Sequence, residues 1–408
     1  MSFRDPHRAT LLLSIVLAFG CAARAPAPPL TPPEVTEPDW QYALMIDASS
    51  SSSTLQIFRW ADGTNGALPI IEAAPGGEPS ESWTYRVHPG LSAYAGRPAE
   101  AAGSLGPLIE YAVDKLGDPA TLAETPIHLR ATAGMRLLPE DRQVEILMAI
   151  GSYLYETPFG SYSARVITGA EEGTYGWLSV NYRFGDLEHG RTVGALDLGG
   201  ASAQITFHPL HPPRAHGQVV DLGFRSYELY TQSYLGLGQD KARETIDSPD
   251  CFPVGYPMAG GRLGRGDFDT CGRAIRAEFA VPCSEDDEPC SLFGVYQPPL
   301  EGDFLALSVY EYVADFFDLG ERIVPSAVAN AGRDFCSTDW PALVERKPEI
   351  EDDPYAPLYC YAAAHVEALL TDGFGFPADS ERIAVPSSAQ GAPTGWTLGA
   401  LLLELSRR

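Results

Sequence analysis

The chain has 408 residues, more than a single hydrophobic core comfortably organises, so two domains are expected. Its 54 acidic against 28 basic side chains leave a formal charge of −26, which excludes a nucleic-acid binder for want of cations to replace phosphate counterions. A small phosphate ligand stays open, because it needs only local donors and a divalent cation.

Arg4 and Arg8 precede an apolar run from Ala9 to Gly20, too short to cross a bilayer, and together these read as an export signal. Leu17-Ala18-Phe19-Gly20-Cys21 resembles a lipobox. On that reading residues 1–21 are signal sequence, and a lipid on Cys21 holds the exported protein to a membrane, on the periplasmic or cell-surface side. Residues 22–39 carry Pro26, Pro28, Pro29, Pro32, Pro33 and Pro38 and read as an extended tether.

Folded structure is expected from about residue 40. Tyr42–Asp47 reads as a buried strand, Ala48 to Ser53 as a tight polar turn, and Thr54–Trp60 as the alternating partner strand. The spacing then predicts a helix over Ala101–Leu116 stopped by Gly117, a strand at Pro126–Ala131 and a helix at Asp141–Thr157. Further strands are expected at Ala164–Thr168, Gly194–Leu198 and Gln204–His208. A loop-rich stretch from Ser248 to Gly302 follows, and helical patterns recur at Phe304–Leu319, Tyr359–Thr371 and Gly395–Leu405. Strands alternating with helices give an α/β fold. Apart from Cys21 there are six cysteines, all between residues 251 and 360; in an exported chain they indicate disulfides rather than metal ligation.

Two segments share one plan of strand, aspartate, small-residue turn, hydroxyl and strand: Ile46-Asp47-Ala48-Ser49-Ser50 and Leu196-Asp197-Leu198-Gly199-Gly200-Ala201-Ser202. Small residues let backbone N–H groups approach phosphate oxygens, hydroxyls add donors, and the aspartate can hold Mg²⁺ or Ca²⁺ directly or through water. Two copies in one chain suggest two related domains facing each other.

Five stretches resemble, in order and in spacing, the signature blocks of the apyrase family, the ecto-nucleoside triphosphate diphosphohydrolases. They are Ile46 to Ser51, Ala131 to Leu138, Gly169 to Trp177, Gly194 to Gln204 and Leu307 to Tyr312. The resemblance implies two actin-like (ribonuclease H-like) α/β domains with the active site in the cleft between them. The first would comprise residues 40–168 plus 391–408; the second, 169–390, would carry the disulfides, with Cys336 expected to pair with Cys360. It further implies metal-dependent hydrolysis of the terminal phosphates of nucleoside tri- and diphosphates by direct attack of water. The sequence leaves the oligomeric state open, with a monomer favoured.

Carried over residue by residue, Glu172 matches the family's base, and Asp47 and Asp197 match the acids that hold the metal's water shell. Ser50, Ser51 and Ser52 form the first phosphate loop, and Gly199, Gly200 and Ala201 the second. Thr132, Ser202 and Gln204 match polar residues around the metal, the phosphate and the attacking water; Tyr312 matches an aromatic that stacks on the nucleobase. Beside these, Glu171 reads as a solvated neighbour, Met135 and Arg136 as either packing and ion pair or ligands, and Tyr310 and Phe316 as helix core. One departure stands out: Ser49 occupies a position where the family usually has Gly. If φ is positive there, Ser costs about 1 kcal/mol; if the Gly admits a phosphate, Ser49 crowds it, though its hydroxyl can donate. Two rivals remain. One is an exopolyphosphatase-like enzyme on the same fold, which would lack the block at Glu171 to Trp177; the other is a catalytically weak nucleotide-binding surface lipoprotein.

Overall fold

Two apolar runs that each end in an aspartate found two sheets. The computed structural model describes residues 38–63, 67–74, 83–284, 288–386 and 395–407. The export signal, Cys21, the tether up to residue 37 and positions 391–394 lie outside the described residues. In the first sheet Gln41–Ala48 (β1) and Ser53–Ala61 (β2) form an antiparallel hairpin, with Asp47 opposite Thr54. Ile70–Ala73 (β3) and Thr84–Val87 (β4) add to β2, Pro126–Ala131 (β5) runs parallel to β1, and Ser161–Val166 (β6) runs parallel to β5. Ala43 to Ile46 are buried without alternation, because β1 is central and covered on both faces.

The second sheet repeats this plan. Gly194–Leu198 (β7) and Ser202–Phe207 (β8) are its antiparallel hairpin, with Asp197 opposite Gln204. Gly217–Asp221 (β9) and Ser226–Leu235 (β10) extend the β8 side; Phe304–Ser308 (β11) runs parallel to β7, and Ile383–Ala384 (β12) parallel to β11. The duplication visible around Asp47 and Asp197 is thus a duplication of sheet plan: a hairpin flanked by parallel strands on the side of its aspartate-bearing strand.

Two expectations about elements are corrected, and one helix is added. Residues 101–116 form two helices, Pro98–Gly103 and Gly106–Leu116, because Pro107 has no N–H and its ring excludes the carbonyl four residues earlier. Gly117, at φ 66°, ends the second as expected. The pattern at Phe304–Leu319 is a strand followed by a helix, Val309–Phe316; a five-residue apolar run looks alike in either element, and parallel neighbours decide for strand. Gly169–Arg183, rich in glycine and unread as an element in the sequence, is a 15-residue helix.

That helix packs against Thr397–Leu405, and both sit in an apolar cluster that draws Met45 and Trp60 from the first sheet and Ala195 and Leu305 from the second. Ser179 Oγ ties the pair, donating to Gly395 O at 2.9 Å and accepting from Gly399 N at 2.7 Å. Disulfides join Cys251 to Cys271, Cys283 to Cys290 and, as expected, Cys336 to Cys360.

The helix crossing leaves no room at Gly399, where a Cβ would stand 2.0 Å from Tyr175 O. Gly399→Ala is expected to lower unfolding free energy by about 1–3 kcal/mol. Gly176→Ala, on the neighbouring helix with nothing within 4 Å, should be neutral or stabilising by up to about 1 kcal/mol. Denaturant titration of both variants checks the contrast.

Candidate active site

Asp47 and Asp197 each stand one residue before the end of their strands, and each is followed by a turn closed in the same way. Ser49 N–H donates to Ser52 O at 2.9 Å, and Gly199 N–H donates to Ser202 O at 3.0 Å. The two turns meet: Ser50 Oγ lies 2.6 Å from the point a Cβ on Gly200 would occupy, so a side chain there would have to push the Ser50 hydroxyl aside. Ser49 is absent from the residues with positive φ, so the strain considered for it does not arise. Its hydroxyl turns back into the hairpin and donates to Ser52 O at 3.1 Å.

Each turn is gripped from outside. A Cβ on Gly134 would fall 2.6 Å from Ser50 Cα, and one on Gly90 would fall 2.5 Å from Ser49 O. The segment 236–241 claims the carbonyls of the second turn: Gly236 N–H donates to Ala201 O, Gln239 N–H to Gly199 O, and Asp240 and Lys241 N–H to Gly200 O, all at 2.8–2.9 Å. Among the described residues no backbone carbonyl accepts from the N–H of Ser50, Ser51, Gly200 or Ala201. Free N–H groups in two facing turns are the donor set an anion requires.

Glu172 enters from the first turn of the helix Gly169–Arg183. A capping box fixes that turn: Glu171 N–H donates to Thr168 Oγ1 at 3.1 Å, and Thr168 N–H donates to Glu171 Oε2 at 2.8 Å. Glu171 also pairs with Arg165 at 2.8 Å, so it has a structural duty rather than a merely solvated one. Glu172 Oε2 accepts from Arg136 Nη2 at 2.7 Å and from Gln204 Nε2 at 3.2 Å. Gln204 Nε2 also reaches Ser202 Oγ at 2.6 Å, and Arg136 donates to Ile167 O at 3.0 Å.

The structure therefore brings Glu172, Ser202 and Gln204 together and sets both aspartates and both turns beside them. Ser52 is buried, with its hydroxyl facing Ser49, while Ser51 is exposed. Thr132 is buried where β5 ends, its N–H donating to Ala48 O at 3.1 Å. Tyr312 stands apart on the helix Val309–Phe316, 55% exposed, whereas Tyr310 is fully buried and Phe316 stacks on Tyr359 at 3.7 Å. Sequence alone did not single out Ser308 or the 236–241 segment, and left Arg136 undecided. Ser308 Oγ donates to Asp197 Oδ1 at 2.7 Å, and its φ of 64° and ψ of −118° cost a non-glycine residue on the order of 1–3 kcal/mol. Arg136 and Ser308 both lie within recognisable blocks; which side chain turns inward is what the blocks do not reveal.

Residues 34–251 and 259–408 match the GDA1/CD39 (nucleoside phosphatase) family. The chain is 31% identical to probable apyrase 6 of Arabidopsis thaliana over 89% of its own length and 72% of that protein. It is also 31% identical to ectonucleoside triphosphate diphosphohydrolase 8 of Gallus gallus, covering 90% of this chain and 83% of that one. Among solved structures it resembles a nucleoside triphosphate hydrolase from Neospora caninum (TM-score 0.55, 16% identity, covering 90% and 93% of the two chains). A Ppx/GppA family member from Aquifex aeolicus is similar at TM-score 0.52 and 16% identity, covering 90% and 98%. These two likenesses concern the fold alone, which is the actin-like α/β architecture expected from the sequence.

Three carboxylates share this desolvated place. Burial pushes Glu172 up to about 7 against the pull of Arg136, with Asp197 adding to the rise. Burial, then the negative charges of Glu172 and Asp197, holds Asp47 well above the usual carboxylate range; burial also raises Asp197, opposed by the Ser308 hydrogen bond. Asp47 Oδ1 is shielded from solvent and has no hydrogen-bond partner. No three His, Cys, Asp or Glu side chains among the described residues form a direct metal cage. An orphaned carboxylate oxygen among like charges nonetheless fits a hard divalent cation held through its water.

An acid whose value is raised by folding favours the native state while protonated, and that contribution is lost as pH rises through the raised value. Asp47→Asn mimics the protonated side chain. In EDTA above pH 7 it is expected to raise the melting temperature by roughly 2–6 °C. The gain should shrink toward pH 4 and in millimolar Mg²⁺ or Ca²⁺; melting curves across pH, with and without metal, test it.

Proposed function

The chain belongs to the GDA1/CD39 nucleoside phosphatase family, and from that premise we propose that it hydrolyses the terminal phosphates of nucleoside tri- and diphosphates, with Glu172 activating the attacking water. The observation that carries this reading is the placement of Glu172, with Gln204 and Ser202, beside two facing turns of free N–H donors.

Water attack on phosphorus needs a proton acceptor, an oriented nucleophile and neutralisation of the phosphoryl oxygens. Glu172 in its carboxylate form accepts the proton, and the Arg136 guanidinium favours that form. The Gln204 amide and Ser202 hydroxyl orient the water. Ser50, Ser51, Ser52 and Thr132 on one side, and Gly199, Gly200 and Ala201 on the other, hold the phosphate chain. Mg²⁺ or Ca²⁺, held through waters by Asp47 and Asp197, would supply the remaining positive charge. Tyr312, exposed on its helix, offers a ring to the nucleobase.

On this reading residues 40–168 with 391–408, and residues 169–390, are the two halves of the enzyme, each contributing one turn. We place it outside the cytoplasm, held by a lipid on Cys21. The lipobox-like Leu17 to Cys21 and the disulfides support that placement, and no helix among the described residues is long and apolar enough to cross a membrane.

Phosphate release from ATP, ADP, AMP and polyphosphate, measured on protein lacking residues 1–21 with Mg²⁺, Ca²⁺ or EDTA, tests the proposal. The expected result is metal-dependent release from ATP and ADP, none from AMP, and a loss of about 10²–10⁴-fold in Glu172→Gln. Activity on polyphosphate alone would move the function to an exopolyphosphatase, and nucleotide binding without turnover would make the protein a binding lipoprotein. With metal saturating, kcat/KM should rise with pH to a plateau whose bend lies at or below about 7, since burial raises Glu172 and a bound cation lowers it.

A further inference from the structure

Ser308 ends β11 opposite Leu198 and opens the helix Val309–Phe316. Its backbone, at φ 64° and ψ −118°, lies where glycine is at ease and a side chain is strained. Among the described residues only His216, Phe293 and Asp318 share a positive φ without being glycine. The conformation is pinned from two sides: Ser308 N–H donates to Glu311 Oε1 at 2.9 Å, and Ser308 Oγ donates to Asp197 Oδ1 at 2.7 Å. Glycine would satisfy the backbone and the first bond. Only the hydroxyl makes the second.

The repeated sheet plan supplies an internal control. In the second sheet Leu198, one residue after Asp197, pairs with Ser308; in the first sheet Ala48, one residue after Asp47, pairs with Ala131. Ala131 has no side-chain donor, and Asp47 Oδ1 is without a hydrogen-bond partner. Among the differences between the two half-sites, this one puts a hydroxyl on one of the two aspartates and none on the other.

We infer that Ser308 is a positioning residue for Asp197: its hydroxyl fixes the rotamer of that carboxylate, making Asp197 the rigid holder of the cation's water shell and Asp47 the adjustable one. The inference rests on the proposed role of Asp197. A role confined to capping the helix would alter stability alone, whereas a positioning role alters the response to metal.

The test compares Ser308→Gly and Ser308→Ala with the unmodified protein by melting temperature in EDTA and across Mg²⁺ and Ca²⁺ titrations without substrate. In EDTA the glycine variant should be the more stable of the two, being free of the backbone strain that alanine keeps. Both should need roughly 10-fold more metal for half of the melting-temperature shift. In an Asp197→Asn background, Ser308→Gly should change the metal requirement by less than about twofold. A glycine variant that titrates like the unmodified protein overturns the proposal, and so does an unmodified protein with no metal-induced shift. If the unmodified protein hydrolyses no nucleotide but the glycine variant still loses its metal response, the substrate reading fails and the positioning role stands.

Discussion

Ser50 Oγ sits 2.6 Å from where a side chain on Gly200 would have to begin, and much of the molecule follows from that approach. Two turns can come so close only if both are made of small residues and each is held from behind, by Gly90 and Gly134 on one side and by the 236–241 segment on the other. The sheets that carry the turns must also keep their spacing. The helices Gly169–Arg183 and Thr397–Leu405 do this from the shared apolar cluster, and the first of them delivers Glu172 to the meeting point.

Such closeness has an electrostatic cost. Asp47, Asp197 and Glu172 are driven into mutual range with little water to screen them, and among the described residues Arg136 is the one cation that pairs with Glu172. A protein selected for stability alone would not gather acids in this way. On the proposed reading the gathering has a reason, because a divalent cation would offset the negative charge of the acids and of the nucleotide's phosphates together.

Much of this is legible in the amino-acid sequence wherever neighbours in the chain decide the matter. Aspartates followed by small residues mark both turns, and the strand pattern around them gives both hairpins. Where partners far along the chain decide, the reading falters. β11 is a strand because β7 and β12 flank it, and its apolar run is otherwise indistinguishable from a helix segment. Pro107 divides a helix that periodicity alone would join, a local signal outweighed by the pattern around it. Thr168 and Glu171 spell a capping box three residues apart, yet the glycines of that helix concealed it. Ser49 looked like a defect, and its backbone proves ordinary; Ser308 looked unremarkable, and its backbone is the strained one. Dihedral angles, unlike residue types, are not written in the chain.

The bond between Gly399 N and Ser179 Oγ spans 220 positions of sequence. A contact of that range closes slowly, because the chain between must be ordered first. Until it closes, Tyr175, Trp177 and Leu178 on the Glu172 helix have only part of their covering. The helix that carries the proposed base is thus among the last to be seated as the polypeptide leaves the ribosome. A chain arrested or clipped before residue 395 would present a greasy, half-docked helix of the kind that chaperones hold and proteases find.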